Sequence, residues 1–259
     1  MAQRLSQVVN LQDFRALAQR RVPRSVFDYV DGGADGEVTL RHSLSQWDEI
    51  LFRPRQAVRL GSVDTRTTVV GTEIDTPILL APIGYTRLLH PDTEVGVAKA
   101  ARQGGVGYVL TSFSGSRVED VAAAAGPLWY QLYLAGGREA VDSALARAWA
   151  SGCRVLAVTI DTNTPGNRER DIRNRSAALV GPGMLNKVPF LPELLSHPRW
   201  LAGFLGDGDF RAMDGGHAGA GFWLGADVHH RAAHLVSVGK AAVAEGRGGE
   251  FNQARRQIL

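Results

Sequence analysis

Four short apolar runs, each followed by a helical pattern, constrain the fold of this chain more than any other feature. They are Pro77-Ile-Leu-Leu-Ala-Pro82, Gly107-Tyr-Val-Leu-Thr-Ser112, Leu128-Trp-Tyr-Gln-Leu-Tyr133 and Val155-Leu-Ala-Val-Thr-Ile-Asp161. They recur at roughly 25–30 residues, the period of a βα unit. Their apolar residues do not alternate cleanly with polar ones, which is how a strand reads when both its faces are buried in a parallel sheet. Helices fill the intervals. One opens at His90-Pro-Asp-Thr-Glu94, with Asp92 or Thr93 as cap, and runs through Val95, Val97, Ala98 and Ala101. The second spans 116–125 and starts from a Ser116-x-x-Glu119 capping box. The third, 138–151, is rich in Ala and Leu. Four such units with right-handed crossovers can begin an eight-stranded barrel or an open doubly wound sheet. No Gly-x-Gly-x-x-Gly follows the first run, which counts against a dinucleotide site and favours the barrel.

The C-terminal ends of the four runs carry the polar groups: Gly84, Thr111 and Ser112, Gln131 and Tyr133, Thr159. Active sites of α/β proteins are built at that end of the strands. The amide and hydroxyls of Gln131, Thr111 and Thr159 can pair with the edge of a planar, hydrogen-bonding ring. Beyond the turn at Pro165-Gly166, Arg168 offers a fork suited to a carboxylate. Tyr29 and Tyr133 can donate to negative charge developing on oxygen. Taken singly, each also reads as structural: a cap, a ladder neighbour, a surface arginine.

Upstream, 10–31 reads as helical and interrupted at Pro23. Leu11, Phe14, Leu17 and Ala18 form an apolar stripe in its first part. The second part carries Val26, Phe27, Tyr29 and Val30, and Gly32-Gly33 stops it. On spacing alone Tyr29 reads as a core aromatic with its hydroxyl satisfied. Residues 34–60 read as charged and irregular.

Charge and cysteine content exclude several classes. A net charge of +3 with no basic run interleaved with aromatics does not suggest a nucleic-acid partner. The single cysteine, Cys153, excludes a disulfide framework and suits a reducing, cytoplasmic compartment; it reads as a small buried residue at the foot of a strand. No apolar run is long enough to span a bilayer.

Several segments together are similar to one known family. They are Phe27-Asp-Tyr-Val-Asp-Gly-Gly-Ala34, Leu80-Ala-Pro-Ile-Gly84, Trp129-Tyr-Gln-Leu-Tyr133, and Thr159-Ile-Asp161 with Pro165-Gly-Asn-Arg-Glu-Arg-Asp-Ile-Arg-Asn174. They resemble the FMN-dependent α-hydroxy-acid dehydrogenase/oxidase family, which includes glycolate oxidase, L-lactate dehydrogenase and mandelate dehydrogenase. The resemblance implies a TIM (β/α)8-barrel, with only about the first four βα units recognisable here, and FMN at its C-terminal face. It also implies oxidation of a small L-2-hydroxy acid to the 2-oxo acid, and a homo-oligomer. Carried over residue by residue, Tyr29 matches a substrate-binding tyrosine. Pro82, Ile83 and Gly84 match the backbone along the flavin ring. Thr111, Gln131 and Thr159 match flavin contacts. Tyr133 matches the tyrosine that bonds the substrate hydroxyl, and Arg168 the arginine that holds its carboxylate.

The family's proton-accepting His should lie in a motif of the type Ser-Asn-His-Gly-Gly-Arg-Gln, and the chain holds no such motif. The segments that grip the flavin phosphate are not found either. Residues 1–208 therefore read as the N-terminal part of such a domain, and 209–259 as a divergent Gly/Ala-rich tail after a truncation. Within the tail, 226–245 reads as an alanine-rich helix. His217 only superficially resembles a catalytic loop, and His230 and His234 read as a solvated helix face, so no metal site is expected. The alternative to the enzyme is a non-catalytic fragment of the family. Four strands of a closed barrel leave open edges. The isolated chain is therefore expected to self-associate; a single monodisperse monomer in sedimentation velocity would contradict this.

Overall fold

The computed structural model describes residues 6–59, 61–134, 136–159, 166–176, 185–206 and 243–245. Two compact units divide the chain. One comprises Met1–Val58 with Pro165–Asp207, the other Arg59–Thr164 with Gly208–Leu259.

In the second unit a hairpin comes first, β1 (Thr67–Val69) and β2 (Thr72–Ile74), paired antiparallel. Its two turn residues, Val70 and Gly71, have φ of 46° and 69°. Both lie in the left-handed region that the twist of a two-residue hairpin demands. Then come β3 (Leu79–Leu80), α4 (Thr93–Gln103), β4 (Gly107–Thr111), α5 (Val118–Ala124), β5 (Leu128–Tyr133), α6 (Gly137–Ala150) and β6 (Val155–Thr159); α1–α3 belong to the first unit. The four strands β3–β6 are parallel and adjacent in chain order, as the repeat predicts. β3 is shorter than the run 77–82 because Pro77 and Pro82 have no N–H to donate to a ladder.

Alternation along β4, β5 and β6 sorts the side chains. Tyr108, Leu110, Tyr130, Leu132, Leu156 and Val158 pack against the helices, through Ala98 and Ala101 of α4, Val121 of α5, and Val141, Leu145 and Ala148 of α6. Val109, Trp129 and Val155 point the other way and pack with Val69, Val70 and Leu79. The Trp129 indole donates to the Thr72 hydroxyl at 3.0 Å, which ties β5 to the hairpin. Cys153 is buried on the helix side, and burial pushes its thiol up to about 11, far from a reactive thiolate.

Three local expectations fail here. The capping box at Ser116 and Glu119 does not form: α5 has Arg117 at its N-cap and no side-chain cap. The Ser116 hydroxyl pairs instead with that of Thr93, while Glu119 takes both nitrogens of an Arg147 fork at 2.8 Å. Long-range partners have outcompeted the local ones. At α4 the N-cap is Asp92, but no side chain caps it, and Thr93 adopts φ +50°. Finally, residues 243–245, expected in a helix, form β7 (Val243–Glu245), antiparallel to β6. An otherwise open edge of β6 offers unpaired N–H and C=O groups, and these groups recruit a strand. The rest of the tail, with His217, His230 and His234, lies outside the described residues, as do Ile160 and Asp161.

The first unit is helical: α1 (Leu11–Gln19), α2 (Arg24–Asp31), α3 (Val38–Ser45), α7 (Glu169–Asn174), α8 (Leu191–Leu195) and α9 (Pro198–Gly206). Pro23 separates α1 from α2, and α2 stops at Gly32, where an added Cβ would lie 2.6 Å from the Asp28 carbonyl oxygen. Asn10 and Asp13 cap α1 reciprocally. Its apolar stripe is not buried: Leu11 and Phe14 are exposed, and no described residue covers them. α3 was not expected, since residues 38–45 show no apolar stripe, and none of its residues is buried. The small core holds Val22, Val26, Phe27, Phe190 and Leu194. Glu193 on α8 accepts from the Ser25 N–H and hydroxyl at 2.8 and 3.0 Å, placing a carboxylate at the start of α2.

Leu132→Ala removes a side chain only 2% exposed. It is expected to cost about 2–5 kcal/mol in urea unfolding, whereas Ile78→Ala, half exposed, should stay within about 1 kcal/mol.

Candidate functional site

In the strand unit the residues predicted at the strand ends do meet. Thr111 of β4 and Gln131 of β5 are register partners on neighbouring strands, and Thr159 lies on the same face of β6. The Thr111 hydroxyl donates to Gln131 Oε1 at 2.8 Å, and Gln131 Nε2 donates to the Thr159 hydroxyl at 2.7 Å. The row lies on the face opposite the helices. Thr111 and Gln131 are buried, at 2% and 4% exposure. The amide holds Oε1 toward Thr111 and Nε2 toward Thr159. Thr111 Oγ1 also accepts from the Phe113 N–H at 3.1 Å. In this arrangement the second amide hydrogen of Gln131 and the hydroxyl hydrogen of Thr159 remain as donors among the described residues. The row presents donors, and it suits a ring edge that carries acceptors.

Tyr133 closes the same strand. Its N–H donates to the Ser112 hydroxyl at 3.0 Å, and its ring lies 4.6 Å from that of Phe113. Phe113 in turn stacks on Tyr85 at 6.1 Å. Gly84 approaches the same phenylalanine, where an added Cβ would lie 3.3 Å from Phe113 Cβ. Pro82 and Ile83, just before it, are exposed. A cavity of about 330 Å³ opens on the helix side of β4 and β5, lined by Leu110, Tyr130, Leu132, Val141 and Arg147 among others, and reaches Thr111 and Tyr133 at the strand ends. Sequence reasoning missed Phe113, because an aromatic just past a strand end carries no signal of its own.

In the helical unit Tyr29 and Arg168 come together across 139 residues of chain. Arg168 Nη2 donates to the Tyr29 carbonyl oxygen, its guanidinium lies 5.1 Å from the centre of the Tyr29 ring, and its Nε donates to Asp171 Oδ2 at 2.5 Å. One edge of the fork is thereby fixed. Nη1 makes no hydrogen bond among the described residues. Tyr29 is half-buried rather than a core residue.

A charge network holds the two segments. Arg170 Nη1 donates to Asp31 at 2.9 Å and Nη2 to Glu37 at 2.6 Å; Asn174 Nδ2 donates to Asp28 at 2.7 Å. Arg15 pairs with Asp31 from α1. The hydrogen bond from Arg15, with a further one from Arg170, holds the Asp31 carboxyl below the usual carboxylate range, against the opposing effect of burial. Arg170 and then the Gly33 N–H do the same for Glu37. Only the density of charge in 168–173 signals this network in the sequence.

The sequence profile described as FMN-dependent dehydrogenase matches residues 18–243, and the chain belongs to that family. Glycolate oxidase 1 of Zea mays is 36% identical over 172 residues, covering 66% of this chain and 47% of that protein. An L-lactate dehydrogenase of Xanthobacter autotrophicus is 36% identical over 189 residues, 73% of this chain and 47% of that protein. The crystal structure of (S)-mandelate dehydrogenase, a monotopic membrane protein, superposes with a TM-score of 0.70 at 27% identity, covering 83% of this chain and 61% of that one. The fold is thus the α/β class of the FMN-dependent TIM-barrel enzymes. The chain spans about half the length of the curated relatives it matches. No helix among the described residues is long and apolar enough to cross a membrane.

Because the Asp31 carboxyl is lowered by its arginine partners, its contribution to stability is present above the ordinary carboxylate pKa. It is lost as pH falls below that value. Arg170→Met removes one of those partners. The acid-unfolding midpoint, followed by far-UV circular dichroism, should therefore move to higher pH; an unchanged midpoint would show the network to be inert.

Proposed function

We propose that this chain carries the flavin-edge and hydroxy-acid-binding residues of an FMN-dependent oxidoreductase that converts a small L-2-hydroxy acid to the 2-oxo acid. The observation that carries the reading is the Thr111–Gln131–Thr159 row, a buried set of oriented donors at the C-terminal ends of three adjacent parallel strands. Such donors suit the acceptor edge of an isoalloxazine ring, with the backbone of Pro82, Ile83 and Gly84 along the ring. FMN, when bound, supplies the electron acceptor for the two-electron oxidation.

The chain's own residues bind and polarise. Arg168 presents Nη1 to the substrate carboxylate, with Asp171 and the Tyr29 carbonyl holding the guanidinium in place. Tyr29 adds a phenol on the substrate side. Tyr133 donates to the substrate hydroxyl oxygen and would stabilise negative charge on it. Residues 1–208 hold all these groups. A homo-oligomer in the cytoplasm belongs to the same reading, and a single buried cysteine suits a reducing compartment. The sequence holds no Ser-Asn-His-Gly-Gly-Arg-Gln segment. That observation favours a second reading, a flavin-binding member without its own proton acceptor.

The visible absorption spectrum of the purified chain, before and after anaerobic addition of L-lactate, separates these readings. A yellow protein that bleaches supports the oxidoreductase, and Arg168→Met should then raise KM about 100-fold, the worth of a charge-assisted pair. A yellow protein unchanged by lactate, glycolate or mandelate supports the second reading. A colourless protein that takes up no added FMN overturns both.

A further inference from the structure

We propose that Glu94 and Arg87 are positioning residues for Tyr133, acting through the loop that follows β4. The inference rests on the reading of Tyr133 as the tyrosine that meets the substrate hydroxyl.

Glu94, in the first turn of α4, is fully buried, and Arg87 is only 8% exposed. Charged side chains are rarely so enclosed without a specific task. Both reach the same residue. Glu94 Oε1 accepts from the Gly115 N–H at 3.1 Å, and Arg87 Nε donates to the Gly115 carbonyl oxygen at 2.8 Å. The peptide groups on either side of Gly115 are thus gripped, one by a carboxyl oxygen and one by a guanidinium. Only glycine fits: an added Cβ would come within 2.8 Å of Arg87 Cβ.

The neighbouring residues are fixed as firmly. Thr93, next to Glu94, pairs its hydroxyl with that of Ser116. It does so at φ +50°, a conformation a β-branched residue adopts only when its surroundings impose it. The Ser114 hydroxyl donates to the Ser116 carbonyl oxygen and accepts from the Ser116 N–H. Tyr85 N–H donates to the Phe113 carbonyl oxygen at 3.3 Å.

The one large side chain on this loop is Phe113, and its surroundings give the clamp its use. The ring contacts those of Tyr85 and Tyr133, and its Cβ closes the space above Gly84. Its own N–H bonds to Thr111. One loop therefore touches the flavin-side backbone at Gly84, the donor row at Thr111 and the ring of Tyr133. Fixing Gly115 fixes Phe113, and Phe113 sets the angle at which Tyr133 is presented. A phenol displaced by about 1 Å loses most of its value to a transition state.

The chain has five tyrosines, so the test is 13C-tyrosine NMR on the FMN-loaded protein, with kcat and KM for L-lactate measured beside it. Glu94→Ala should move or broaden the Tyr133 and Tyr85 ring signals. The signal of Tyr130, on the helix side of β5, should stay in place. In the same variant kcat should fall about 10- to 100-fold with KM nearly constant. Glu94→Gln, which keeps an oxygen to accept from Gly115, should restore the Tyr133 signal and most of kcat. Phe113→Leu leaves the clamp intact and removes only the ring, and it should move Tyr133 even if Glu94→Ala fails to fold. An unmoved Tyr133 signal in Phe113→Leu, or in a folded Glu94→Ala, overturns the proposal. A wild-type protein without turnover overturns the oxidoreductase reading alone, because the ring signals report on the clamp independently of activity.

Discussion

The strand unit depends on one constraint, the strict alternation of side chains along β4, β5 and β6. Because the strands run parallel and their register places Thr111 beside Gln131 and Tyr133 beside Thr159, every second residue faces the helices. The set facing them is apolar and closes the core. The opposite set changes character along each strand. It begins apolar with Val109, Trp129 and Val155 and ends polar with Thr111, Gln131 and Thr159. A slip of one residue in β5 would bury Gln131 among leucines and turn Leu132 toward the donor row. The cost of an unpaired buried amide, about 1–3 kcal/mol, and the loss of a buried leucine both oppose that slip. Core packing and site geometry are therefore enforced by the same register.

In the helical unit the corresponding work falls to charge. Tyr29 and Arg168 are far apart in sequence, and the small core of Val22, Val26 and Phe27 does not by itself explain their meeting. The contacts that span the gap are polar: Arg170 to Asp31 and Glu37, Asn174 to Asp28, Arg168 to the Tyr29 carbonyl. A partly exposed pair such as Arg15–Asp31 contributes on the order of 1 kcal/mol or less. The network's value is thus geometric more than energetic. It has several donors and acceptors in fixed directions, and few arrangements of α2 and α7 satisfy them all together.

What the sequence revealed follows from which forces act locally. The run Leu128–Tyr133 is a strand over its full predicted length, since three aromatics and two leucines behind the turn residues Gly126-Pro127 leave little choice. Thr111, Gln131, Thr159, Tyr29 and Arg168 were visible because strand ends and a recognisable motif point to them. The capping box at Ser116 was legible and wrong: its two members each found a better partner more than twenty residues away. α3 escaped notice because nothing of it is buried, and burial is what periodicity records. The apolar stripe of α1 makes the converse case, a pattern present in the sequence whose burial the described residues do not provide. Glu94 was likewise read only as part of a helix start, since its partner Gly115 announces nothing by itself.

The donor row joins these points. Gln131 could hold either end of its amide toward Thr159, and an amide free to flip would recognise no particular edge. In the row Oε1 faces the Thr111 hydroxyl, whose oxygen also accepts from the Phe113 N–H. With Oε1 on the Thr111 hydroxyl, Nε2 turns toward Thr159. The row is thus tied through Thr111 to a backbone N–H in the loop after β4, the loop that Glu94 and Arg87 grip at Gly115. Preorganisation of this kind costs nothing when a ligand arrives, since the dipoles are already oriented by the fold. A substitution that loosened the loop would blur the amide and the tyrosine together, although neither residue had been touched.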